Sequence, residues 1–182
     1  MRSKATTAQF KRVKIFLTDV DGVLTNATVF MDGRNEYKQF NIQDGMGLRL
    51  LQHIGIPVGW ISNRKSIATT ARAKELKVDY VWQKSKPKVA AVDSILKKAK
   101  LDWNDACFMS DDINDLAVLD RVGMPIAVAN ARREIKKMAK YTTINEGGQG
   151  AVREICDKII TAYGKWPTII EKLKCPDGYR KQ

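Results

Sequence analysis

The chain has 182 residues, a formal net charge of +12 and a hydrophobic fraction of 44%. This length predicts one domain, residues 1–182. We expect its core over about residues 11–163, and the polar composition after residue 163 predicts a tail over 164–182. Because we find no long apolar stretch, no secretory signal and no Cys-x-x-Cys spacing, we expect a cytoplasmic protein with reduced thiols, and neither a membrane partner nor a zinc site.

The positive charge favours an anionic partner. However, the Lys and Arg residues are dispersed along the chain, and basic stretches such as residues 131–140 are typical of solvated helix faces. We therefore expect a small anionic substrate rather than nucleic acid.

Short apolar runs alternate with amphipathic segments. The apolar runs predict buried strands over residues 13–18, 57–61, 79–82, 106–109 and 125–129. The amphipathic segments predict helices near residues 44–54, 66–77, 87–100, 112–121, 131–139 and 149–163. This alternation predicts an α/β fold, a Rossmann-like three-layer arrangement in which helices cover both faces of a parallel sheet. One exception is Asp32-Gly33, which lies between two β-prone segments and predicts a projecting antiparallel β-hairpin.

Reactive residues follow the predicted strands. In an open parallel sheet, ligands bind beyond the carboxyl ends of the strands, so these residues would share one edge. They are Asp19 and Asp21, then Ser62, Asn63 and Arg64, then Lys84, Lys86 and Lys88, and finally Ser110, Asp111, Asp112 and Asp115. Carboxylates gathered at one edge repel each other unless a cation lies among them, and Mg²⁺ prefers oxygen ligands. The pattern therefore predicts a Mg²⁺ site that also holds a phosphoryl group, with one carboxylate as nucleophile and a second as acid and base.

Six motifs in this order resemble those of a known superfamily. They are DVDGVLT (19–25), FNIQDGMGLRLL (40–51), ISNRKS (61–66), QKSKPK (83–88), SDDINDLAVL (110–119) and GGQGAVREIC (147–156). The chain resembles the haloacid dehalogenase superfamily of aspartyl-phosphate phosphatases, and more narrowly its 3-deoxy-D-manno-octulosonate 8-phosphate phosphatases, which lack a large cap domain.

The resemblance implies roles for the acidic residues. Asp19 would be the nucleophile and the first Mg²⁺ ligand. Asp21 would be the general acid and base and would give the metal its backbone carbonyl. Asp111 would complete the metal site, Asp112 would act through metal-bound water, and Asp115 would lie behind these ligands.

The resemblance also implies roles around the phosphoryl group. Ser62 would donate a hydrogen bond to a phosphoryl oxygen, and Lys88 would neutralise that group and hold Asp19. Arg64 and Asn63 would contact the substrate.

Three positions depart from the family pattern. Asn63, Lys84 and Ser110 stand where glycine is usual. Glycine at such positions permits a positive φ angle or a close approach of the backbone, which these three side chains would disfavour.

The implied activity is Mg²⁺-dependent hydrolysis of 3-deoxy-D-manno-octulosonate 8-phosphate in lipopolysaccharide synthesis. Open alternatives are a phosphatase for a related nonulosonate 9-phosphate, a non-catalytic assembly module of the same fold, and a phosphatase for nucleic-acid ends.

The resemblance further implies a homo-oligomer, a tetramer. An exposed hairpin with apolar side chains such as Phe30 and Tyr37 favours pairing between subunits. The tail, with Tyr179 and Arg180, is suited either to reach over an anionic substrate or to remain a disordered, solubilising segment.

Overall fold

A parallel sheet forms the centre of the part of the chain that the computed structural model describes, residues 5–84 and 87–174. The strands are β1 (Ile15–Thr18), β2 (Phe30–Asp32), β3 (Asn35–Tyr37), β4 (Val58–Ser62), β5 (Tyr80–Gln83), β6 (Ala106–Ser110), β7 (Met124–Ala127) and β8 (Tyr141–Thr142). Six of them form one sheet in the order β5-β4-β1-β6-β7-β8, with every pair parallel. The order confirms the predicted α/β fold.

The inner strands are apolar because both of their faces are covered. All residues of β1, β4, β6 and β7 are buried, as expected for a parallel sheet between two layers of helices. The edge strand β5 is partly exposed. The two-residue strand β8 was not predicted, since so short a segment carries no periodic pattern.

The helices are α1 (Thr7–Phe10), α2 (Ile42–His53), α3 (Ile67–Glu75), α4 (Lys88–Ala99), α5 (Leu116–Leu119), α6 (Arg133–Met138), α7 (Ala151–Ala162) and α8 (Trp166–Lys174). The helix predicted near residues 112–121 is instead a 3₁₀ turn, Ile113–Asp115, followed by the short α5. In the described residues, no helix is long and apolar enough to cross a bilayer.

The projecting hairpin is present, with a turn displaced from the one predicted. Asp32 pairs with Asn35, so the two loop residues are Gly33 and Arg34 rather than Asp32 and Gly33. Phe30, Met31 and Tyr37 are all more than half exposed.

The segment after residue 163 begins as a helix rather than as a polar tail. Ile169 in α8 is 1% exposed and belongs to the hydrophobic core. The indole N–H of Trp166 donates to Oγ1 of Thr161 at 2.9 Å. The core therefore extends beyond the predicted limit of 163, whereas the expected contribution of Tyr179 and Arg180 lies outside the described residues.

Candidate active site

Three strand ends meet around one cavity at the carboxyl edge of the sheet. The cavity has a volume of about 230 Å³. Its lining residues are Asp19, Asp21, Ala27, Ser62, Asn63, Arg64, Asp111, Asp112 and Asn114. The fold thus brings together the predicted site residues except Lys88 and Asp115, which pair with each other next to Asp19.

Lys88 links two carboxylates beside this cavity. It is the first residue of α4 and is 4% exposed. Its Nζ lies 2.8 Å from Oδ2 of Asp19 and 2.6 Å from Oδ1 of Asp115. Burial lowers the pKa of Lys88, but the charges of Asp19 and Asp115 outweigh this effect and the pKa is raised. The ammonium group therefore stays charged next to Asp19.

Asp115 is fixed by Ser110 as well as by Lys88. It is fully buried, and its Oδ2 accepts a hydrogen bond from Oγ of Ser110 at 2.8 Å. Burial raises the pKa of Asp115, the charge of Asp19 adds to this increase, and Lys88 opposes it. Ser110, where glycine was expected, does not have a positive φ. Its hydroxyl instead orients the carboxylate that holds Lys88.

The chain turns sharply after Asp19. The amide of Val20 donates to Oδ1 of Asp19 at 2.6 Å, and the amide of Leu24 donates to the carbonyl of Val20 at 3.0 Å. Gly22 has a φ of +91°, and a Cβ atom there would overlap the carboxylate of Asp111. Glycine is therefore needed both for the turn and for the approach of Asp111.

Two glycines from much later in the chain pack against this turn. A Cβ atom at Gly147 would overlap the carbonyl of Gly22, and one at Gly148 would lie 2.6 Å from the amide nitrogen of Asn26. The amide of Gly148 also donates to the carbonyl of Val23 at 2.9 Å. The Gly-Gly pair of the GGQG motif thus supports the loop that follows β1.

Asp44 binds the helix that follows those glycines. It is 1% exposed, and its Oδ1 accepts a hydrogen bond from the amide of Arg153 at 2.7 Å, in the first turn of α7. The N-cap of α7, Gly150, has no side chain to perform this function. Burial raises the pKa of Asp44 to about 6, and the backbone amides of α7 oppose that increase.

Asp19 and Asp111 are suited to bind a cation. Oδ1 of Asp111 is buried and has no hydrogen-bond partner. Burial and the charges of Asp19 and Asp112 raise the pKa of Asp111 to about 7, and a bound cation would offset these effects. Among the described residues, no three Asp, Glu, His or Cys side chains are grouped as a metal cage. The two carboxylates Asp19 and Asp111 alone fit Mg²⁺, because this ion commonly keeps several waters beside one or two carboxylates.

The end of β4 brings polar groups to the other side of the cavity. Ser62 is 2% exposed, and its Oγ accepts a hydrogen bond from the amide of Arg64 at 3.1 Å. Oδ1 of Asn63 is buried without a hydrogen-bond partner, and the φ of Asn63 is not positive. These groups are suited to face an anion or a hydroxylated substrate.

Two hairpin residues that were not identified from the sequence also reach the site. Nζ of Lys38 lies 2.5 Å from Oδ1 of Asp21, and Oε2 of Glu36 lies 2.7 Å from Nη2 of Arg64. Because residues two apart on an extended chain face the same side, the E-x-K spacing could have indicated a shared face. It could not have indicated what that face contacts.

The site resembles in sequence and structure a group of known phosphatases. A family model for haloacid dehalogenase-like hydrolases matches residues 60–155. The chain is 33% identical over 159 residues to the 3-deoxy-D-manno-octulosonate 8-phosphate phosphatase of Escherichia coli K12, and the match covers 87% of this chain and 85% of that protein.

Two solved structures extend the comparison. The phosphatase of that name from Moraxella catarrhalis, in complex with magnesium, phosphate and KDO, has a TM-score of 0.88 and 32% identity, covering 92% of this chain and 97% of that one. The cobalt-bound deoxy-D-mannose-octulosonate 8-phosphate phosphatase from Haemophilus influenzae has a TM-score of 0.85 and 29% identity, covering 95% and 99%.

Proposed function

Because the chain belongs to the haloacid dehalogenase-like hydrolases, and within them to the 3-deoxy-D-manno-octulosonate 8-phosphate phosphatase family, we propose that it hydrolyses this sugar phosphate to the free sugar acid and phosphate. The observation that carries the proposal is the pairing of Asp19 with the buried Lys88, at the cavity that also contains Asp111. A carboxylate held in this way beside a metal-binding carboxylate is suited to attack phosphorus.

In the proposed reaction, a carboxylate oxygen of Asp19 attacks phosphorus and the bond from phosphorus to the sugar oxygen breaks. Asp21 gives its proton to the departing alkoxide. Water then attacks phosphorus, Asp21 takes a proton from that water, and the bond to the Asp19 oxygen breaks, which regenerates the Asp19 carboxylate and releases inorganic phosphate.

The other residues position and neutralise the phosphoryl group. Ser62 would donate a hydrogen bond to one phosphoryl oxygen, and Lys88 would balance the negative charge near Asp19. Arg64 and Asn63 would bind the sugar acid. We assign Asp19, Asp111 and the backbone carbonyl of Asp21 to Mg²⁺, which when bound supplies positive charge to the phosphoryl oxygens.

Substitution of the nucleophile tests this mechanism. Asp19→Asn removes the attacking oxygen anion, so turnover should fall below about a tenth of the wild-type rate, a rise of more than ~1.4 kcal/mol in the activation free energy. The measurement is phosphate release from 3-deoxy-D-manno-octulosonate 8-phosphate with Mg²⁺. Asp93→Asn is the matched control, because Asp93 pairs with Lys97 on the exposed face of α4.

Three outcomes would contradict parts of the proposal. An active Asp19→Asn variant would reject the nucleophile, and full activity in excess chelator would reject the metal. Faster release from a nonulosonate 9-phosphate would change the substrate within the same class.

We further propose that this one-domain chain acts in the cytoplasm, in lipopolysaccharide precursor synthesis, as a homotetramer. The exposed apolar hairpin supports assembly, because a lone two-stranded hairpin is only marginally stable in water.

A further inference from the structure

A series of four side chains with alternating charge, Asp21, Lys38, Glu36 and Arg64, crosses the candidate active site. Its two middle members belong to the hairpin. Nζ of Lys38 lies 2.5 Å from Oδ1 of Asp21 and 3.6 Å from Oε1 of Glu36. The other oxygen of Glu36, Oε2, lies 2.7 Å from Nη2 of Arg64. The hairpin therefore joins the proposed acid and base to the proposed substrate-binding arginine.

The side chain of Lys38 is the most buried of these four charged side chains. Its side chain is 0% exposed, compared with 23% for Asp21 and 50% for Arg64. Burying an ammonium group is costly unless it is paired, so the ion pair with Asp21 offsets the cost of burying Lys38. Oγ1 of Thr69 accepts a further hydrogen bond from Nζ at 3.4 Å.

Asp21, in turn, depends on Lys38 for its position. Within residues 5–84 and 87–174, Lys38 is the only side chain that pairs with the carboxylate of Asp21. The backbone hydrogen bonds of the turn after β1 converge on the carbonyl of Val20, and none of them involves the side chain of Asp21. Glu36 lies against both Lys38 and Arg64, so it braces the lysine from the hairpin side.

We propose that Lys38 is a positioning residue that aims the carboxyl group of Asp21 at the leaving oxygen of the substrate. This inference rests on the proposed function, in which Asp21 transfers the proton and Lys38 transfers none. The position of Asp21 matters most for an alkyl ester such as a sugar phosphate, because an alkoxide leaves poorly without a proton. It matters little for an aryl ester, whose phenolate leaves readily.

The ion pair could instead serve only to fasten the hairpin to the core. In that case, removing it would loosen the whole entrance of the site and would slow alkyl and aryl esters alike. The two explanations therefore differ in the ratio of the two rates and not in the loss of activity itself.

The test compares kcat for 3-deoxy-D-manno-octulosonate 8-phosphate and for p-nitrophenyl phosphate in full-length, Mg²⁺-loaded protein. Lys38→Met should lower kcat for the sugar phosphate by at least about tenfold and for the aryl ester by less than about threefold, since general acids contribute most when the leaving group is poor. Lys38→Arg keeps a cation and should restore most of the lost rate. Lys97→Met removes an exposed ion pair on α4 and should change neither rate.

Equal losses for both esters, or no loss for either, would overturn the inference. If Lys38→Met does not fold, the same ratio measured with Lys38→Gln decides the question, since glutamine is neutral but still polar. A wild-type protein that hydrolyses neither ester would reject the proposed function. A fully active wild type with an unchanged ratio in the variant would reject only the role of Lys38.

Discussion

Lys84 has a backbone conformation that glycine adopts more easily. Its φ is +62°, and the family pattern that the sequence resembles has glycine at this position. The left-handed conformation brings Cβ of an ordinary residue close to its own carbonyl oxygen and costs about 1–2 kcal/mol. The departure from glycine thus has a measurable consequence here, whereas Asn63 and Ser110 avoid positive φ.

Lys84→Gly should therefore increase the free energy of unfolding, by about 1 kcal/mol once the greater freedom of glycine in the unfolded chain is subtracted. Urea unfolding measures the change. The control is Lys65→Gly, an exposed loop lysine whose φ is not positive, which should be neutral or destabilising. A loss of stability in both variants would show that the conformation of Lys84 is not strained.

At the scale of single residues, the sequence predicts positions that lie at strand ends. Asp19, Ser62 and Asp111 could be identified because a parallel sheet brings its carboxyl ends together. Lys38 and Glu36 could not be identified in this way. They lie on a projecting hairpin, and the direction in which it folds back over the sheet is set by tertiary contacts that no local pattern encodes.

At the scale of elements, the contact between α2 and α7 connects two separate motifs. The DGMG motif supplies Asp44 to the first turn of α7, and the residues just before α7 support the loop after β1. The buried carboxylate at this contact has a raised pKa of about 6. It therefore makes the stability of the protein depend on pH.

Asp44→Asn should remove that dependence while keeping an oxygen that accepts from Arg153. Because the folded-state pKa of about 6 exceeds the ordinary value of 3.8, Asp44 adds stability below about pH 4, and this contribution is lost as the pH rises through about 6. The variant should thus match the wild type near pH 4 and exceed it near pH 7.5, by up to about 3 kcal/mol.

Urea unfolding at several pH values measures this difference, and the other titrating groups cancel because both proteins contain them. A difference that stays constant between pH 4 and 7.5 would show that Asp44 is not the responsible group. If Asp44→Asn lost stability relative to the wild type between pH 4 and pH 7.5, the folded wild-type protein would favour the ionised form of Asp44.

Some elements were predictable and others were not, for identifiable reasons. The inner strands are continuous apolar runs and were found within a few residues of their observed limits. Helix α8 was missed because Gly164 and Pro167 are typical of a loop. Pro167, however, occupies the first turn of α8, where its missing N–H costs no hydrogen bond.

At the scale of the whole molecule, the hairpin is the surface that favours assembly. Phe30, Met31 and Tyr37 are exposed on two short strands that make no part of the main sheet. Apolar side chains on unpaired strands are a hazard for a monomer, and burying them against other subunits removes it.

Phe30→Lys should therefore lower the oligomeric state measured by sedimentation velocity. Phe30 is 68% exposed, and Ile144, which is 70% exposed in a loop that is not part of the hairpin, provides the matched control Ile144→Lys. Unchanged sedimentation of Phe30→Lys would reject the hairpin as the subunit contact. An equal effect of Ile144→Lys would show a general response to added charge.

The support that Gly147 and Gly148, just before α7, give to the loop after β1 also determines when the site can form during translation. The contact between Asp44 and Arg153 spans 109 residues of chain, so α2 and the loop after β1 emerge from the ribosome long before their partners exist. A nascent chain shorter than this contact would carry Asp19 and Asp21 without the glycines that hold their loop. Metal binding and turnover should therefore appear only near the end of synthesis. The protein would remain inactive until the last third of its chain has been made.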